Sequence, residues 1–314
     1  MHRSAGSNLR TRWTVLLSLL IIPWPSLTAA QDPANPPVRV LLVTAHPDDD
    51  AAFAATVYRV THHLSGVVDL ALVTDGGGGY RYSTLAEPIY NLPLTDERVA
   101  RQYLPAIRKR ELMAGGAIVG IRKYFFLDQP DRGFTLSADS VLRAVWDTAF
   151  VGNRLTAILA DGSYDLVLGI LPFEETHGHH KSATIMALQA AMSLPPQDRP
   201  VVLGGFICPQ DRTKEMRFEG LEGHVQTWVT GGAPLVRFDR TQKFGLNDRL
   251  DYRIIVNWVI AEHKSQGTMQ LLMNRGDIEC FWYFDANGPE GRQRVAELFE
   301  ELKQDQDDPA SDPN

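Results

Sequence analysis

AHPDDD, residues 45–50, follows directly on the apolar run Val40-Leu41-Leu42-Val43 and leads into a helix-forming stretch. Its reading decides the fold: a strand ends, the chain turns, and a helix begins. The turn carries an imidazole (His46) and three carboxylates (Asp48, Asp49, Asp50), more acid and base than an ordinary turn uses. In an open parallel sheet, sites are built at the carboxyl ends of strands. A His and an Asp three residues apart, as His46 and Asp49 are, can aim at one point where a helix starts. Such a site needs a further ligand from elsewhere in the chain.

Working outward, short β-branched runs alternate with longer helix-like stretches. Strands are predicted at 38–45, 68–74, 123–128, 165–171 and 201–207, with helices at 50–64, 96–120, 138–161 and 178–193. Strand, crossover and strand repeated in this way give an α/β, Rossmann-like fold, a mostly parallel sheet with helices on both faces. The last hundred or so residues are less regular and read as a C-terminal extension from about residue 208. In it, 224–240 forms one or two strands, 247–264 a helix, 279–284 a strand and 289–303 a helix. The polar, acidic stretch 304–314 has the composition of a disordered tail.

Residues 1–30 have the layout of a secretory signal. Arg3, Arg10 and Arg12 precede the apolar run 13–22, a Pro-containing break and the small residues Ala29 and Ala30. The run is shorter than the roughly twenty residues that span a bilayer. The expectation is therefore an exported protein, periplasmic or extracellular, cleaved near Ala30 and with no stable membrane span afterwards. The whole chain carries 31 basic and 38 acidic residues, a formal charge of −7; cleavage removes three basic and no acidic residues, leaving −10. Nucleic acid is excluded as a partner, since that affinity comes largely from neutralising phosphates. Residues 31–303 suit one large domain with its extension. Cys208 and Cys280 are the two cysteines, so a Cys-based zinc site is excluded by count. Export permits a disulfide, and the sequence leaves open whether the two approach within bridging distance or stay as buried thiols.

The further ligand source follows the fourth predicted strand, in FEETHGHHKSAT, residues 173–184. On a helix, His177 and His180 share a face, while His179 falls about 80° to 100° away. Both clusters sit at strand carboxyl ends on one sheet edge. Two imidazoles and a carboxylate with an open position make up a hydrolytic zinc site, where a metal acidifies water and polarises a carbonyl. The bland alternative, a capping turn plus an exposed His run, does not account for both clusters together. The loop TDGGGG, residues 74–79, has neither an immediate helix nor a GxGxxG context and reads as a flexible active-site wall. Tyr80 and Tyr82 beside it could present aromatic faces to a sugar-like ligand, while Trp146, Trp228, Trp258 and Trp282 read as core.

AHPDDD resembles the AHPDDE signature of the PIG-L/LmbE-like zinc-dependent de-N-acetylases, and HGHH, residues 177–180, stands where that family carries HPDH. KREL (109–112), FLDQPD (126–131) and HKSQ (263–266) support the match, which covers about 38–200 and reaches Gln266 loosely. The resemblance implies Zn2+ held by His46, Asp49 and His180, with Fe2+ or another divalent ion an alternative for such a donor set. It further implies Asp48 as general base on the attacking water, and His177 as oxyanion stabiliser or as acid to the departing amine. Arg110 and Asp131 become substrate-side candidates, joined by Tyr80 from beside the glycine loop and by Gln266, and the substrate a small N-acylated sugar-like molecule; for His263 and Gln266 a structural role is favoured over a substrate contact. Two departures stand out. Asp50 replaces a Glu, and His179 replaces an Asp, so a carboxylate that would orient a neighbouring imidazole is missing from the motif. The expected consequence is a lower pKa at His177 unless another carboxylate supplies the charge.

Overall fold

Alternate residues of the first strand, β1 (Arg39–Thr44), face opposite ways, as the two-residue period of a strand requires. Val40 and Leu42 join one buried cluster, and Leu41 and Val43 join another across the sheet. A strand apolar on both faces belongs in the middle of a sheet covered on both sides. The computed structural model describes residues 36–209 and 216–303. The expected signal (1–30) and tail (304–314) lie outside the described residues.

The other strands are β2 (Val67–Thr74), β3 (Ile121–Gln129), β4 (Leu166–Ile170), β5 (Val201–Cys208), β6 (Val236–Asp239), β7 (Lys243–Phe244), β8 (Leu250–Asp251) and β9 (Ile278–Tyr283). Seven of them form one sheet in the order β3-β2-β1-β4-β5-β9-β6, and β7 pairs separately with β8. From β3 to β5 all neighbours are parallel, whereas β9 runs antiparallel to both β5 and β6. The chain builds outward from β1 through β2 and β3, then returns to place β4 on the other side of β1. The order therefore reverses between β1 and β4, the crevice where open α/β sheets bind ligands.

The helices are α1 (Ala54–His62), α2 (Glu87–Tyr90), α3 (Glu97–Val119), α4 (Ala138–Ala144), α5 (Thr148–Gly162), α6 (Gly178–Met192), α7 (Tyr252–Glu262), α8 (Gly267–Gln270) and α9 (Gly291–Lys303). On the Leu42 face the sheet meets α1, α3, α7 and α9 through Val57, Leu112, Val259 and Phe299. The Leu41 face meets α4, α5 and α6 through Val141, Leu155 and Ala187. Among the described residues, no helix is long and apolar enough to cross a membrane.

Two segments differ from expectation, each for a local reason. The helix expected over 138–161 breaks between α4 and α5, where the Asp147 side chain accepts from Phe150 N and caps a new helix. The helix expected from residue 50 starts instead with a 3-10 turn over Asp49–Ala52, because Asp49 and Asp50 are turned inward toward buried partners. Within 224–240 there is a single sheet strand, β6, preceded by a 3-10 turn over Val225–Thr227. Trp146 and Trp282 are core residues as expected, while Trp228 and Trp258 are exposed.

The C-terminal extension closes the sheet and braces the β1 turn. Glu279 on β9 accepts from Ala55 N and Thr56 N at 3.0 Å each, so a carboxylate remote in sequence caps α1. Arg240 pairs with Glu279 at 2.9 Å and donates to the carbonyl of Ala51 at 2.9 Å. Cys208 and Cys280, on adjacent strands, form a disulfide with Cα atoms 5.9 Å apart. In the chain-entropy view, cross-linking residues separated by 72 positions stabilises the fold by about 4 kcal/mol.

Candidate active site

The turn after β1 and the start of α6 after β4 meet at the switch point. Asp49 bends back so that its Oδ2 accepts from the backbone amides of Ala45 and His46, both at 2.9 Å. Its Oδ1 is thereby left facing His180 Nε2, 3.0 Å away. His46 Nδ1 lies 2.9 Å from the same His180 nitrogen and 3.9 Å from Asp49 Oδ1. The three donor atoms all fall within 4.8 Å of one another. Two imidazole nitrogens and a carboxylate oxygen converging without a bulky group between them suit a divalent ion. The donors fit in a second respect: Asp49 spends one oxygen on the backbone and keeps the other free.

The electrostatics favour ligand-ready protonation states at His46 and Asp49, whereas His180 is held toward its protonated form, so a bound ion would have to displace a proton there. Burial lowers His46 to about 3 against the pull of Asp131 and Asp49, keeping its imidazole neutral. Burial pushes Asp49 up, but His180, His46 and the backbone amides outweigh it and hold the carboxylate well below its usual range. For His180 burial lowers the pKa, and the nearby Asp49, Asp48 and Asp131 reverse that into a raised value. Asp48 is raised to about 6, first by burial and then by the adjacent Asp49, a value suited to a base working near neutrality. With its amide turned as the surrounding groups require, Gln266 donates to both Asp48 oxygens at 3.1 and 3.2 Å.

His177 caps α6: its Nδ1 accepts from His179 N at 3.0 Å, and its Nε2 lies 3.1 Å from the Gly133 carbonyl. An acceptor at Nδ1 puts the proton of the neutral ring on Nε2. Burial, with His179 and His180, lowers His177 to about 4 despite Asp131. The Gly178 amide donates to Thr135 O at 2.6 Å, a bond that proline could not make, and a Cβ there would meet Ser137 O at 2.7 Å.

These groups line a cavity of about 640 Å³, with His46, Asp48, Asp49, His177 and His180 at its base. Tyr80, Asp131 and Gln266, expected on the substrate side, also line it. Tyr80 sends its hydroxyl to Glu97 at 3.1 Å, and Phe134, 79% exposed, stands at the mouth edge-on to His177. Asp131 is tied inward: Gly78 N donates to its Oδ2 at 2.8 Å, in the space a side chain at 78 would fill. The glycine loop thus walls the cavity and also cradles a carboxylate of the protein itself.

Arg110 is not in the cavity. It is exposed, and Arg108, one helical step away on α3, is buried and lines the cavity in its place. Arg108 donates to Gly76 O at 2.8 Å and to Ser265 O at 3.3 Å, while Glu111 accepts from Ser265 N at 3.0 Å. The spacing of Arg108 and Glu111, three apart and hence on one face, was the available signal. His263 is fully buried and pairs with Asp50 at 2.7 Å. AHPDDD, the α3 motif and HKSQ are therefore mutual contacts, and the turn at 263–266 delivers Gln266 to Asp48.

Residues 41–191 match the family model PIG-L, GlcNAc-PI de-N-acetylase. The A40926 pseudoaglycone deacetylase superposes with a TM-score of 0.51 at 16% identity, covering 79% of this chain and 97% of that one, which shows a shared fold. A deacetylase of teicoplanin biosynthesis gives a TM-score of 0.48 at 14% identity over 78% of this chain and 97% of that one. The N,N'-diacetylchitobiose deacetylase of Pyrococcus horikoshii gives 0.37 at 23% identity, and the match spans about half of each chain, 49% in both cases. Among curated proteins there is no match to the sequence. The match to the PIG-L family model thus spans residues 41–191, the β1-to-α6 body that carries both clusters.

Proposed function

We propose that the protein is an exported, metal-dependent hydrolase that removes an N-acyl group, acetyl in the first instance, from a sugar-like amine. The observation that carries this reading is the convergence of His46, Asp49 and His180 within 4.8 Å, beside Asp48 and His177 in one cavity. A divalent ion held by these three residues, zinc or alternatively iron, would supply Lewis acidity toward the acyl oxygen and acidify a water. Asp48, raised to about 6 and oriented by Gln266, takes the proton of the attacking water and can return it to the departing nitrogen. His177, neutral at pH 7 with its proton on Nε2, donates to the Gly133 carbonyl in the free protein and exchanges that bond for one to negative charge on the acyl oxygen. Of the two roles implied for His177, donation to the oxyanion is the one a neutral ring can perform.

Neither departure from the family motif argues for a lost site. Asp50 Oδ1 pairs with His263 at 2.7 Å, while its Oδ2 has no hydrogen-bond partner among the described residues, and the imidazole at 179 has Asp131 Oδ1 3.5 Å away. The test is amine release from a panel of N-acetylated amino sugars, acyl amino acids and phosphate esters, with and without chelator. The expected result is chelator-sensitive release from acetylated amino sugars, and an Asp48→Asn protein that keeps its metal while kcat falls about 10²- to 10⁴-fold. Turnover of phosphate esters alone, or full activity in Asp48→Asn, would refute the assignment.

A further inference from the structure

The imidazole ring of His46 has two nitrogens with different surroundings. Nδ1 faces Asp49 and His180, whereas Nε2 lies 3.1 Å from His179 Nδ1 and 3.7 Å from Asp131 Oδ1. His179 Nδ1 and Asp131 Oδ1 are themselves 3.5 Å apart, and His179 is 0% exposed. Three polar atoms thus meet behind His46 in a protected corner, on the side away from Asp49 and His180. Asp131 is fixed there by Gly78 N. The His179 ring is wedged against Trp146, 5.3 Å between centroids.

We propose that His179 and Asp131 act together as the positioning pair for His46. The argument rests on the metal-site reading above and follows from proton placement. A metal can be held by Nδ1 of His46 only if the ring proton sits on Nε2. That N–H must then find an acceptor in the buried corner, and His179 Nδ1 at 3.1 Å is the nearest. For His179 to accept, its own proton must sit on Nε2, which is buried without a hydrogen-bond partner among the described residues, so the pairing carries the cost of one unsatisfied donor that metal binding must outweigh. The opposite arrangement, with His179 Nδ1–H donating to Asp131, would leave His46 Nε2 as an acceptor and move the His46 proton onto the nitrogen needed for the metal. Loading the site therefore selects one tautomer of both rings. Asp131 Oδ1, 3.7 Å from His46 Nε2, supplies the negative charge that favours the polarised N–H, which a neutral imidazole at 179 cannot.

Metal affinity in a chelator-competition titration of the full disulfide-bonded protein, with zinc alone as probe, tests this without any substrate. His179→Ala and Asp131→Asn are each expected to weaken zinc binding about 10- to 100-fold, and the double variant to lose less than the product of the two. His179→Asp, which restores an acceptor, is expected to recover most of the loss. Nitrogen-15 imidazole spectra of the zinc-loaded wild type are expected to report a proton on Nε2 of both His46 and His179. Thermal melting without zinc identifies any variant that has simply lost its fold; for such a variant the wild-type spectra decide the matter. Wild-type affinity in both single variants, or a His46 proton on Nδ1 in the zinc-loaded protein, would overturn the pairing while leaving the metal site standing. A wild type that takes up no zinc would remove the metal-site reading as well.

Discussion

The parallel half of the sheet, β1 to β5, and the segment from β6 onward contribute to the site in different currencies of structure. The first half supplies the atoms that face the cavity base: His46, Asp48 and Asp49 after β1, and His177 and His180 after β4. The second supplies buried partners. Glu279 caps α1, Arg240 holds the carbonyl of Ala51, His263 pairs with Asp50, and Gln266 reaches Asp48. Groups proposed to act on substrate come from short motifs at strand ends, and several of the groups that brace the β1 turn come from more than 180 residues further along the chain. The turn is rich in carboxylates whose mutual repulsion must be offset, so a site of this kind depends on both.

Substituting a residue that bridges the two switch-point strands should have the largest effect. His180→Ala removes one of three donors, and kcat/KM for an acetylated amino sugar should fall on the order of 10³-fold or more. If His180→Ala retained wild-type kcat/KM, the β1 and β4 clusters would not form a single site. Next comes the bracing segment. Glu279→Ala leaves Arg240 buried and unpaired and uncaps α1, for which a loss of about 3 to 5 kcal/mol is expected in urea unfolding; a change under about 0.5 kcal/mol would mean that the extension is not needed to hold the turn. Gln266→Ala, measured by kcat, should cost about 10- to 100-fold, as a lost hydrogen bond to a charged group. The base works as a carboxylate, so rate falls as pH drops through the Asp48 pKa, about 6 before any metal lowers it. Removing a donor to that carboxylate moves the acid limb to higher pH, and an unmoved limb would separate Gln266 from the base. The smallest effect is expected at Arg110, which is exposed: Arg110→Ala should change stability by less than about 0.5 kcal/mol, with kcat/KM close to wild type, whereas Arg108→Ala should be visibly impaired in both.

Much of the first half was legible in the sequence because its signals are local. The β-branched runs and intervening helices place five parallel strands, and AHPDDD with HGHH marks the edge where they end. The position of α6 after β4 was legible too, but His177 caps that helix from outside it and does not share a helical face with His180. The second half was less legible, since a buried charge on β9 such as Glu279 reads in sequence as one acid within an apolar strand. Its partners at Ala55 and Thr56 are 224 and 223 residues away. Arg110 was singled out through the KREL resemblance, and the contact that marks Arg108 instead, with the turn at Ser265, is tertiary. His179 stood out as a departure, but the carboxylate that accompanies it lies on the loop after β3, and Gly78 holds it there through a backbone amide.

Metal stoichiometry is the most direct test of the central claim that His46, Asp49 and His180 form one centre. Wild-type protein dialysed against trace zinc and analysed by mass spectrometry should carry one tightly held divalent ion per chain, and Asp49→Ala should carry essentially none under the same dialysis. A wild type free of metal, or an Asp49→Ala protein loaded to the same level, would contradict it.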